Sequence, residues 1–301
     1  MDVHLKECTL KGIDTQKIFT QKEPHPRKVA LEKSCTRKAD CDGADTAESS
    51  SAKTRIIVVT HKDYPMPEDT ELYIPVQVGK KPRIRPEWRK DDEGENISEK
   101  NPTFCELTAL YWAWKNLDAE ALGLCHYRRY FGSPESRTRR ISAAETGRLM
   151  KTADVVLPKK RHYWIETRES QYAHAHHAED LKCVEGILAE RYPEYLEAWK
   201  WMLGTRSGHI CNMFIMRREI ADEYCEWLFD VLSEAEKRLD ISGYAEKDKR
   251  VFGYLGERLL DVWIRKNGIK YTEVPMIVTE DQHWMKKGMA FLRRKFGRGK
   301  R

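Results

Sequence analysis

The stretch GLCHYRRYF, residues 123–131, sets an imidazole and two adjacent guanidiniums, His126, Arg128 and Arg129, directly behind an apolar run. A guanidinium offers planar, paired N–H donors that match a phosphate or diphosphate, and His126 adds another donor. The bland alternative is a surface loop whose arginines pair with nearby acids and whose tyrosines cap the core. A second polar cluster comes earlier. In GENISEKNPTFCELT, Asn96, Ser98 and Asn101 stand at a helix start, where free backbone N–H groups attract anions. Ordinary capping by Ser98 or Asn101 uses the same residues, and the two roles are compatible.

Two further stretches carry candidate chemistry. In KDKRVFGYLGERLLDVWI, helical spacing puts Val251, Leu255, Leu259, Val262 and Trp263 on one side, and Arg250, Gly253, Tyr254, Glu257 and Asp261 on another. Gly253 and Gly256 each cost a helix about 1 kcal/mol relative to Ala, which suits close approach of a ligand or another backbone. Glu257 is then a candidate general base; the competing reading is an exposed carboxylate paired with Arg258 or Lys249. The run YAHAHHAEDL invites a zinc reading, because on a helix His176 would share a face with Asp180, and His174 with His177. No HEXXH motif or further ligand pattern completes such a site, so the expectation is a polar helix face lining a cleft, without metal.

Composition narrows the classes. The formal net charge is +6, but residues 283–301 hold eight basic residues and no acid, so the remainder is nearly neutral. That argues against a nucleic-acid partner, whose binding needs a basic surface. The same segment, WMKKGMAFLRRKFGRGKR, interleaves apolar and basic residues and is expected to touch an anionic membrane surface, with RNA attraction or a plain tail as alternatives. Eight scattered cysteines without a CxxC pair read as reduced thiols. No apolar run has signal-peptide or transmembrane length, so a cytoplasmic protein is expected, possible membrane contact falling at the inner face of the plasma membrane.

These residues need elements to hold them. Residues 1–53 show neither helical nor strand periodicity and are expected to form a mobile extension. The folded domain, 54–282, opens with RIIVVT, a β-branched run suited to a central strand, followed by LYIPVQVG. A helix is expected from Asn101, with Pro102 in its first turn and Phe104, Leu107, Tyr111, Trp114 and Leu117 at threes and fours. Then come the strand ALGLC, a helix near 142–151, the strand ADVVLP, a long helical region at 170–203 and the strand HICNMFIM. Helices at about 218–239 and 249–266 and the strand YTEVPMIV complete the chain's body. Such alternation predicts an α/β fold with a mainly parallel sheet flanked by helices. Ligands then gather beyond the carboxyl ends of the strands, where His126 to Phe131 lies.

Four of these runs, NISEKNPTFCELTALYWAWKN, LGLCHYRRYF, HICNMFIMRREIADEYCEWLF and RVFGYLGERLLDVWI, resemble in order those of a bacterial family first labelled a domain of unknown function. Its members are described as capsular or exopolysaccharide biosynthesis proteins and glycosyltransferases. The resemblance spans about Arg55 to Glu280. It implies a Rossmann-like fold similar to GT-A glycosyltransferases, and transfer of a sugar from a nucleotide-sugar donor to a glycan or lipid-linked glycan acceptor. A UDP-linked galactose, pyranose or furanose, is the family-level donor; a catalytically silent scaffold in polysaccharide assembly is the alternative. In GT-A enzymes the strand entering the donor site commonly ends in an acidic DxD motif that holds a divalent metal. Here the corresponding strand ends in HYRRYF, so the expectation is direct neutralisation of the diphosphate without a cofactor, with Mn2+ or Mg2+ as the alternative. On that resemblance His126, Arg128 and Arg129 serve the diphosphate, Asn96 and Asn101 lie near the nucleotide or sugar, and Asn212 joins the donor-binding set at the strand end facing the site. Glu257 is the first choice to deprotonate the acceptor, and Asp180 the second.

Overall fold

Alternate residues of a strand face opposite sides, so a run apolar at every position must be covered twice. RIIVVT is such a run. In the computed structural model, which describes residues 53–279, it forms β1 (Thr54–Thr60), with Ile57 and Val59 facing one apolar cluster and Ile56 and Val58 another. The chain continues through β2 (Tyr73–Gln77), β3 (Arg89–Lys90), a short helix α1 (Asn101–Phe104), α2 (Leu107–Asn116) and β4 (Ala121–His126). A hairpin of β5 (Arg129–Ser133) and β6 (Ser136–Arg140) follows, then α3 (Ala143–Met150) and β7 (Val155–Pro158). Next are β8 (Arg161–His162), α4 (Arg168–Ala175), α5 (Ala178–Arg191), α6 (Leu196–Gly204) and β9 (Ser207–Gly208). β10 (Phe214–Arg217) runs directly into α7 (Arg218–Arg238), and α8 (Val251–Lys266), β11 (Tyr271–Val274) and β12 (Met276–Val278) close the described chain.

The main sheet has the order β11-β7-β10-β4-β1-β2-β3. β1 lies parallel to β2 and β4, β2 to β3, and β7 to β11, whereas β10 is antiparallel to both its neighbours. The fold is therefore the expected α/β one with a mainly parallel sheet. From β1 the chain moves outward through β2 and β3, then returns to place β4 on the other side of β1. That reversal opens a crevice at the carboxyl ends of β1 and β4. The larger core cluster joins one sheet face to α2, α5, α6, α7 and α8, and the smaller joins the other face to β5 and α3.

Several elements depart from the expected pattern. HYRRYF is not a loop beyond a strand: Tyr127 and Arg128 make a tight reversal, His126 pairs with Arg129, and β5 runs back with Tyr130 and Phe131 fully buried. The helix expected from Asn101 breaks at Cys105, whose φ is 55°. The long helical region at 170–203 is three helices, because His176 is extended and Pro193 begins a new turn. The strand expected at 209–216 starts only at Phe214, after left-handed Cys211 and Asn212. The expected N-terminal extension, apart from Lys53, and the basic tail with its membrane contact lie outside the described residues. Among the described residues no helix is long and apolar enough to cross a membrane.

Candidate active site

At the carboxyl ends of β1 and β4 lies a cavity of about 450 Å³. Thr60 and His61 border it from β1, and His126, Arg128 and Arg129 from the β4–β5 reversal. Asn101, Cys105 and Glu106 enter from the α1–α2 junction, and Arg250, Gly253, Tyr254 and Glu257 from α8. The fold thus brings five of the expected residues, His126, Arg128, Arg129, Asn101 and Glu257, to one cavity. Asn212 sits against its wall, 1% exposed, and donates Nδ2 to Glu106 Oε1 at 2.8 Å and to the Gly253 carbonyl at 3.0 Å.

The other two expected residues fall elsewhere. Asn96 closes its own turn, donating Nδ2 to the Gly94 carbonyl at 2.8 Å and accepting from the Ser98 N–H at 3.2 Å. Asp180 is 1% exposed and accepts the hydroxyls of Tyr172 and Tyr244 at 2.8 and 2.7 Å. Burial pushes its carboxyl up, against the pull of those hydroxyls. The break at His176 also separates the histidines. His174 pairs with Glu166 at 2.6 Å, His176 with Asp248 at 3.1 Å, and the His177 ring stacks on Tyr244 at 3.8 Å.

Unusual backbone holds the cavity's wall. Among the described residues four non-glycine residues are left-handed, and three of them, Cys105, Cys211 and Asn212, are here, each a conformation costing about 1–3 kcal/mol. Local hydrogen bonds fix the first: Asn101 Nδ2 donates to the Cys105 carbonyl at 2.9 Å and to Thr108 Oγ1 at 3.1 Å. Thr108 in turn donates to Asp91, a fully buried carboxyl that burial raises to about 6. Two long-range bonds fix Cys211: His126 Nε2 donates to its carbonyl at 2.8 Å, and its N–H donates to Glu257 Oε1 at 2.9 Å. The helix glycines make the approach possible. A Cβ on Gly253 would stand 3.2 Å from that of Cys105, and one on Gly256 only 2.9 Å from Asn212 Oδ1.

Behind this wall, Arg168 donates to the Glu257 carbonyl at 3.0 Å and to Asp261, which also binds His209. Burial would raise Asp261, but His209 and Arg168 hold it below the usual carboxylate range. This buried network ties α8 to the start of the β9–β10 segment.

The cavity's electrostatics favour an anion. Burial and the nearby charges of Lys62, Arg128, Lys81 and Arg250 all lower the pKa of His61. Burial raises the Cys105 thiol to about 11 and the Cys211 thiol to about 12, so neither is an activated nucleophile. A hard divalent cation needs several free oxygens. Here Glu257 accepts from the Cys211 N–H and from Arg258 at 3.0 Å, and Glu106 from Asn212. Among the described residues no group of three or more His, Cys, Asp or Glu is placed to hold an ion. Each carboxylate at the cavity thus has at least one oxygen already occupied by a donor of the protein.

Glu106, Cys105 and His61 carry no motif of their own. Read as part of one continuous helix, Glu106 would be an ordinary polar position; only the break at Cys105 sends it to the cavity. Arg250 was legible as a member of the α8 polar face, though not as part of a cationic wall.

Residues 55–268 match the family described as "Domain of unknown function (DUF4422)", and the chain belongs to that family. Its fold is similar to that of a solved structure titled as the apo form of the bifunctional glycosyltransferase WbbM, with 30% sequence identity and a TM-score of 0.69. The likeness covers 76% of this chain and 46% of that one, so this chain corresponds to about half of that protein. No curated protein matches.

Proposed function

We propose that this protein is a glycosyltransferase that moves a sugar from a nucleotide-sugar donor, UDP-linked, to a glycan or lipid-linked glycan of the cell surface. The observation that carries the reading is the cavity at the β1–β4 switch point, where Arg128, Arg129 and Arg250 stand beside carboxylates. The similarity to a glycosyltransferase supports it. In this reading the guanidiniums and His126 neutralise the diphosphate and the charge that develops on it as the sugar leaves, without a divalent ion. Thr60, His61 and Asn101 border the part of the cavity left for the nucleotide, and a carboxylate lining the cavity takes the acceptor's proton. Glu257 is the residue expected in that role from the sequence.

A thermal-shift panel with UDP, UDP-galactose in both ring forms, UDP-glucose, GDP-mannose and CMP tests this. A ligand present at about 100 times its Kd adds about 2.7 kcal/mol of stability, enough to raise Tm by several degrees. The expected result is a shift with UDP and one UDP-sugar that is equal in EDTA and in manganese. A shift seen only with manganese overturns metal-free binding. Absence of any shift favours a scaffold in polysaccharide assembly over an enzyme.

A further inference from the structure

Among the described residues two carboxylates reach the cavity, and they are held differently. Both oxygens of Glu257 are engaged, Oε1 by the Cys211 N–H at 2.9 Å and Oε2 by Arg258 Nη1 at 3.0 Å. Glu257 therefore has a structural task already: it anchors a left-handed residue and shares an ion pair whose Arg258 side chain is 5% exposed. Taking up a proton there would weaken both bonds.

Glu106 is held at one oxygen only. Oε1 accepts from Asn212 Nδ2 at 2.8 Å and lies 4.0 Å from His126 Nε2. Oε2 makes no hydrogen bond to a described residue, and the side chain, 10% exposed, borders the cavity. Four unusual features of the wall converge on it. Left-handed Cys105 delivers Glu106 to the cavity, and left-handed Asn212 grips its Oε1. Gly256 leaves the space in which Asn212 sits, and Gly253 supplies the carbonyl that receives the amide's other proton. Strain of this kind, held by long-range contacts, is a mark of a side chain whose direction matters.

Resting on the glycosyl-transfer reading, we infer that Glu106, and not Glu257, is the general base that deprotonates the acceptor, with Asn212 as its positioning residue. The acceptor O–H proton passes to Glu106 Oε2. The oxygen's electron pair forms the new bond to the anomeric carbon, and the bond from that carbon to the diphosphate oxygen breaks. The departing pair stays on the diphosphate, among the guanidiniums of Arg129 and Arg250. Direct displacement of this kind inverts the anomeric centre, and Glu106 returns its proton to solvent.

The test uses the full chain, with UDP-galactopyranose and UDP-galactofuranose as donors, and water or an octyl galactoside as acceptor. Glu106→Gln is nearly isosteric and its carbonyl oxygen still accepts from Asn212. It is expected to bind UDP within about threefold of wild type by calorimetry while UDP release falls by about 10²–10⁴-fold. Formate is expected to restore part of the turnover of Glu106→Ala, an outcome that a merely misfolded wall does not give. Asn212→Asp or Asn212→Ala is expected to move the acid limb of the kcat profile with UDP affinity kept. If Glu106→Gln turns over at the wild-type rate, or Glu257→Gln alone abolishes turnover, this inference falls and the transferase reading stands. Retention of anomeric configuration overturns the direct displacement. A wild-type chain that releases UDP from neither donor overturns the transferase reading and this one with it.

Discussion

Tyr254 touches two polar regions of opposite character: its ring borders the cavity, and it stacks on His176 at 4.1 Å. Around the α4–α5 break each polar group is matched inside the protein. Three histidines have a carboxylate or a tyrosine ring for a partner, and Asp180 holds two hydroxyls. Around the cavity the internal matching is looser. Among the described residues Arg129 has no carboxylate within ion-pair distance, and Arg250 donates to the Cys105 sulfur at 3.0 Å and lies over the Tyr254 ring at 5.8 Å. Buried polar groups are normally satisfied, so a saturated cluster is explained by folding alone. Two guanidiniums at a half-enclosed cavity, Arg129 and Arg250, that form no ion pair among the described residues are explained by what the cavity receives.

Substitutions break that comparison at different places. The largest effect is expected at Arg129→Ala, which removes one preorganised donor from the developing charge and lowers kcat/KM by about 10²–10³-fold. Its Tm should stay within a few degrees of wild type, because no internal ion pair is lost; a fall in stability without a fall in turnover would move Arg129 into the structural class. Next comes Asp180→Ala. It strands two tyrosine hydroxyls, one of them on fully buried Tyr172, at a cost of about 2–3 kcal/mol. Denaturant unfolding should register this loss, while UDP affinity of the folded protein stays unchanged.

The smallest effect sharpens the contrast through pH. Burial first, then Arg258 and Lys247, lowers the pKa of His176 despite its bond to Asp248. The folded state therefore prefers the neutral imidazole. Its contribution is fully present above the unfolded-state pKa of about 6.5 and is lost as pH falls below it. Melting curves from about pH 7 down to about pH 5 should thus slope less steeply in His176→Asn than in wild type. Equal slopes would show that another group carries the pH response.

The elements that position the site were largely legible because their signals are local. The β-branched run of β1, the small and apolar run of β4 and the apolar stripe of α8 each declare a period that needs no distant partner. The position of the crevice, at the carboxyl ends of the strands, followed from the alternation of strands and helices. The hairpin at Tyr127 and Arg128 was not legible, since neither residue is Gly, Pro or Asn and no common turn signal marks it. The single helix read across Cys105 failed for the same reason. A left-handed cysteine has no sequence signature, because the conformation is unfavourable for it wherever the surroundings do not impose it.

What the sequence by itself determined is therefore the order of elements, the sheet's mainly parallel character and the collection of arginines and acids available to a site. Its two helix glycines also announced a close approach without saying to what. Only the tertiary structure decided that Gly253 meets Cys105 and Gly256 meets Asn212, and that Glu106 rather than Asp180 stands in the cavity. The physical reason is the range of the contacts that decide. The bonds from Asn212 to Glu106, from His126 to Cys211 and from Cys211 to Glu257 span 106, 85 and 46 residues. They hold strained backbone in place only once the strands and α8 have already packed.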